Sequence, residues 1–188
     1  MSGIRAALVG SLVMATASTL GDFIWATWIT AHRGIYGVTH GVLLFVIAGL
    51  VLGVPAHRPA AGAIAGALVG AVGAGSFYLL APLLGYSAMF VSWFGLWFAL
   101  AIAHARLNAR RASAREIASR GALAAVTSGI AFYAIAGIWR PFDPSGWDYA
   151  IHYAAWTVAY LPGFVALFAR LPAAAGSHTY VNSGGFRL

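Results

Sequence analysis

Six apolar runs, each long enough to cross a bilayer, account for most of this chain. A helical span needs about 20 predominantly apolar residues. Such runs fall at about residues 4–29, 36–54, 60–84, 86–105, 121–139 and 149–169. Backbone inside hydrocarbon must satisfy its own N–H and C=O groups, so open runs of this length are helices. The expected fold is all-α. It is a polytopic six-helix transmembrane bundle over residues 1–170, followed by a flexible cytoplasmic tail at residues 171–188. The first run is too long for a signal-peptide core and reads as a retained span.

Only 8% of the residues are charged and 61% are hydrophobic. That leaves too little polar surface for a soluble domain of this size. The net charge of +7 therefore does not point to nucleic acid. Its arginines sit at span ends, where they meet lipid headgroups. The chain has no cysteine, which removes disulfides, thiolate metal sites and thiol nucleophiles. All eleven basic residues are arginine, so no lysine is present to form a Schiff base.

Arginine placement sets the expected orientation. Five of the eleven lie between Arg106 and Arg120. With six spans and both termini on that side, it holds Arg5, Arg58, Arg106, Arg110, Arg111, Arg115, Arg120, Arg170 and Arg187. Only Arg33 and Arg140 lie on the other. Positive residues collect on the cytoplasmic face, so both termini are expected there, in a bacterial-type inner membrane. Glu116 and Arg120 are four apart in the favourable order, which makes part of the basic loop helical.

Glycines at 62, 66 and 70, with Gly73 nearby, form a stripe on the third span. Gly37 with Gly41, and Gly49 with Gly53, do the same on the second. Small residues let helix backbones approach closely, either within one protomer or between protomers. The intramolecular use is the simpler one. Trp25, Trp28, Trp139, Trp147 and Tyr149 fit an interfacial aromatic belt. Trp93 and Trp97, four apart, read as packing or lipid contact.

Asp22 is the one acid well inside a span. It lies about 10 Å below the outer surface at the helical rise. A buried carboxylate is costly unless paired, hydrated or protonated, so Asp22 either serves a site or bonds to a neighbouring span. Thr19, Thr39 and His40 are candidate partners. The outer face also collects His32, His40, Asp143, Asp148 and His152, and Asp148 and His152 share one helical face. Zinc takes such ligands, giving an alternative metal set of His32, His40, Asp148 and His152. No compact metal motif, nucleophile elbow or phosphate-binding glycine loop is present. His57 and His104, beside arginines, read as headgroup contacts.

Spans three and four are joined by almost nothing at Gly85 and Tyr86. Gly95-Leu96-Trp97-Phe98 leads into the basic loop, and Asp143-Pro144 lies in the turn before the last span. In these features the chain resembles the Insig family and its bacterial relatives. The resemblance implies a lipid-accessible cavity for a diacylglycerol- or sterol-like ligand, and a homotrimer. It would make Asp22 the polar anchor, with Phe77, Phe90 and Trp93 against the apolar body. The acid that eukaryotic members carry at the cytoplasmic end of span four is missing here, where His104 and arginines stand. The expected function is thus a non-enzymatic lipid-binding membrane protein without cofactor, with membrane lipid and further copies of itself as partners. The alternatives are a membrane enzyme or metal-binding subunit using the outer-face histidines and aspartates, or an accessory subunit.

Overall fold

The computed structural model describes residues 3–28, 33–109, 112–138 and 146–169. The tail at residues 171–188, His32, and the Arg140 and Asp143 turn lie outside the described residues. The described chain forms six helices: α1 (Gly3–Trp28), α2 (Arg33–Gly53), α3 (Pro59–Leu84), α4 (Ala88–Leu107), α5 (Ala114–Ile138) and α6 (Asp148–Phe168). All six are long and apolar enough to cross a membrane. A single 3₁₀ turn, Gly85–Ser87, joins α3 to α4. Gly85 takes a positive φ of 56° and its N–H caps α3 by donating to the Ala81 carbonyl. A residue with a β-carbon is disfavoured in that backbone conformation.

Each helix packs on its sequence neighbours, and α6 closes the ring on α1. Neighbours run antiparallel, so the N-terminus of α1 meets the C-terminus of α6. Gly3 lies against the Phe168 carbonyl with no room for a side chain. This places Arg5, Arg58, Arg106, Arg115 and Arg120 at one end of the bundle, here the arginine-rich end. α4 leans inward and touches α2 and α6 across the ring.

The glycine stripe is used within the protomer. Gly62 packs on the Gly49 backbone, Gly66 on the Phe45 carbonyl, and Gly70 on the backbone of Gly41 and Val42. Gly73 meets the Leu96 side chain of α4. Backbone-to-backbone approach of this kind is what holds helices together where lipid is as apolar as leucine. The opposite face of α3 carries Ile64, Leu68, Val72, Leu79 and Leu83, all strongly exposed, as expected of a lipid-facing stripe.

Aromatic rings fill the centre. Trp97 lies over Gly163, where a β-carbon would collide with the indole. Trp93 stacks on Phe132 at 5.2 Å and Tyr160 at 5.8 Å. The void among Met14, Phe45, Trp93, Trp97, Tyr160 and Phe164 is only about 10 Å³. That is the least a single water needs.

α5 starts seven residues earlier than its apolar run, because Ala114 to Arg120 is polar yet helical. Ser113 Oγ accepts the Glu116 N–H at 3.1 Å and opens the helix. Arg120 is buried, unlike the headgroup arginine its position suggested. Its Nη1 donates to the Leu167 carbonyl at 2.7 Å and the Ala169 carbonyl at 2.8 Å, and Nε donates to Glu116 Oε1 at 3.2 Å. The guanidinium thereby caps the C-terminus of α6, whose last carbonyls have no helical partner.

Candidate functional site

The arginine-poor end of the α1–α6 seam holds a polar cluster. Asp22 projects from α1 toward α6. His152 Nε2 lies 2.6 Å from Asp22 Oδ2, and Trp156 Nε1–H donates to the same oxygen at 2.9 Å. The two ring nitrogens are 3.0 Å apart because they share that acceptor. With Asp22 ionised, the imidazole proton sits on Nε2 and donates to Oδ2. A carboxylate oxygen accepting two N–H groups is well compensated for leaving water. The Asp22 side chain is still 34% exposed and that of His152 19%, so the pair is reachable from outside the protein.

The sequence builds this arrangement by four-residue steps. His152, Trp156, Tyr160, Phe164 and Phe168 lie on one face of α6, and successive rings are in contact. On α1, Ser18 is one turn before Asp22, and its hydroxyl lies 3.0 Å from the Tyr160 hydroxyl. The Phe23 and Tyr149 rings meet edge to face at 5.4 Å above the pair.

Thr19 stands apart from the other span threonines. Thr16, Thr27, Thr39, Thr127 and Thr157 each donate to the carbonyl four residues back. The Thr19 hydroxyl is buried and has no hydrogen-bond partner among the described residues. It is three residues before Asp22 and so on the same side of α1.

The sequence candidates separate in space. His40 rests its ring on the α1 backbone at Gly21, next to Asp22. Asp148 is the first residue of α6, where a negative charge suits the helix dipole. Among the described residues no three histidines or acids come together as a metal set. Trp93 is buried and reaches the Asp22 cluster through Phe132, which stacks on Trp156 at 5.4 Å. Phe90 is half-exposed and stacks on Tyr133 at 3.7 Å, and Tyr133 meets Phe132 edge-on. Phe77 packs edge-on to Tyr78 on α3, a helix that touches neither α1 nor α6. Asp22, Phe90 and Trp93 are thus linked by one aromatic chain, with Phe77 on the far side of the ring. Trp156 is the member of this cluster that reading the sequence missed. Its four-residue offset from His152 was the available signal.

A second concavity lies on the side of the bundle between α3 and α4. It is a groove of about 280 Å³, lined by Leu68, Val72, Gly73, Val91, Gly95 and Ala99. Ser76 and Ser92 line its floor, their hydroxyls 3.1 Å apart.

No family model, curated protein or solved structure matches this chain.

Proposed function

We propose that this integral membrane protein binds a lipid whose polar head sits at Asp22, His152 and Trp156, with its apolar body against the neighbouring aromatic surface. The Insig-like resemblance supplies the ligand class, diacylglycerol- or sterol-like, and the homotrimer. The arginine bias supplies the inner-membrane location. The observation that carries the proposal is a carboxylate inside a span, held by two donors on one oxygen yet one-third exposed. Such a group is expensive to maintain in a bilayer and is arranged here to accept a hydrogen bond from outside the protein. The buried Thr19 hydroxyl adds a second polar group on the same side of α1. Because the bundle centre is filled, the ligand lies at the α1–α6 seam and over the Phe90–Tyr133 surface, not in a central chamber.

Native mass spectrometry of the gently solubilised protein, followed by organic extraction, tests this. Wild type should carry about one neutral lipid per protomer, and Asp22→Asn should lose most of it. A single charge-assisted hydrogen bond is worth about 1.5–3 kcal/mol, or about ten- to hundredfold in occupancy. Equal lipid content in both proteins would remove the assignment.

The 2.6 Å imidazole–carboxylate contact favours one second reading, an acid–base pair of a membrane enzyme. In that case the co-purified lipid is chemically converted when the protein is incubated, and His152→Gln stops the conversion. Under the binding reading the lipid is recovered unchanged.

A further inference from the structure

We infer that α6 is hinged at Pro162, and that its stretch 148–161 is a movable wall latched to α1 by Asp22. Proline inside a helix removes the N–H that would bond the carbonyl four residues back, here that of Val158, and weakens the ladder at that point. Ser128 Oγ on α5 donates to the next carbonyl, that of Ala159, at 2.6 Å and holds α6 to α5 just before the proline.

The two sides of the proline are held differently. Of the buried residues of α6, Gly163, Phe164, Ala166 and Leu167 lie beyond the proline, and Ala159 and Tyr160 lie in the turn just before it. Residues 148–158 contain none. The inner part is fixed by the Trp97 indole over Gly163 and by the Arg120 cap. The outer part is tied to α1 by Asp22 with His152 and Trp156, by Ser18 with Tyr160, and by the Phe23–Tyr149 edge contact, and it rests on α5 and α4 through the Trp156–Phe132 and Tyr160–Trp93 stacks. Segments with few buried apolar contacts open at low free energy. Swinging the wall outward parts the α1–α6 seam at the arginine-poor end and exposes the buried Thr19 and Ser18 hydroxyls. What enters there rests on the lipid reading above, whereas the motion does not.

Because the chain has no cysteine, labels can be placed without background. Spin labels at Ile24→Cys and Ile151→Cys report the outer end, and labels at Ile4→Cys and Val165→Cys report the inner end. All four positions are exposed. In nanodiscs, wild type should give a dominant short outer distance. Asp22→Asn should raise the open-to-closed ratio about tenfold, the loss expected for one charge-assisted hydrogen bond, with the inner distance unchanged. Adding Pro162→Ala to Asp22→Asn should restore the closed population. If Asp22→Asn folds poorly, Trp156→Phe removes one donor, keeps a ring, and is read in the same way. An outer distribution identical to wild type overturns the latch. Equal widening at both ends, or no effect of Pro162→Ala, overturns the hinge. An opened outer end with undiminished bound lipid would keep the gate and remove Asp22 as the headgroup anchor.

Discussion

Asp22 and Arg120 are two ionisable residues within helices that the bundle treats in opposite ways. Arg120 is 6% exposed and spends its donors on the end of α6, a structural use. Replacing it with methionine keeps the stem but removes the guanidinium donors to those carbonyls and to Glu116 Oε1. The expected loss is about 2–3 kcal/mol, from removing hydrogen bonds to a charged group. Unfolding of the variant in mixed micelles would measure it, and a loss below about 0.5 kcal/mol would contradict the cap. Asp22 is much more exposed and keeps its donors on one oxygen. Its unusual depth was legible in the sequence, and so was the shared helical face of Asp148 and His152. The partner was not, because pairing α1 with α6 joins residues 130 positions apart. Periodicity within one span says nothing of that closure. Arg120 was misplaced for a related reason: its carbonyl partners belong to another helix and carry no sequence signal.

Among the elements, α2 and α3 show how glycine replaces side-chain packing. Gly66 faces the Phe45 carbonyl so closely that any β-carbon forces the helices apart. Gly66→Val should therefore destabilise the protein by about 1–3 kcal/mol, the usual cost of overpacking, or leave it misassembled. Gly75→Val, at a position open to the surroundings, should be nearly neutral apart from helix propensity. Thermal unfolding of the two variants in the same detergent gives the comparison. Equal effects would show that the stripe is not the contact. The stripe itself was readable from spacing four. Whether it served one protomer or two was decided only by the close α2–α3 pairing. The early start of α5 was partly readable from Glu116 and Arg120, since a polar first turn is invisible to hydropathy but not to the i, i+4 rule.

For the whole molecule, the ring of six antiparallel spans puts both ends of the described bundle on one side. The arginine count is the basis for expecting that side to face the cytoplasm. Exchanging Arg106, Arg110, Arg111 and Arg115 for neutral residues should reduce the bias and give mixed orientation. Accessibility of tags at the two termini would report it, and unchanged topology would mean that the apolar runs alone dictate insertion. The central claim is that lipid is held at the α1–α6 seam. The most direct measurement is photo-crosslinking with a diacylglycerol carrying a diazirine next to its hydroxyl, with adducts mapped by peptide mass spectrometry. Adducts concentrated on the outer parts of α1 and α6, near Asp22, Phe23, Tyr149 and Trp156, and lost in Asp22→Asn, are the predicted result. Adducts spread evenly over the lipid-facing stripe of α3, with no response to Asp22→Asn, would contradict it.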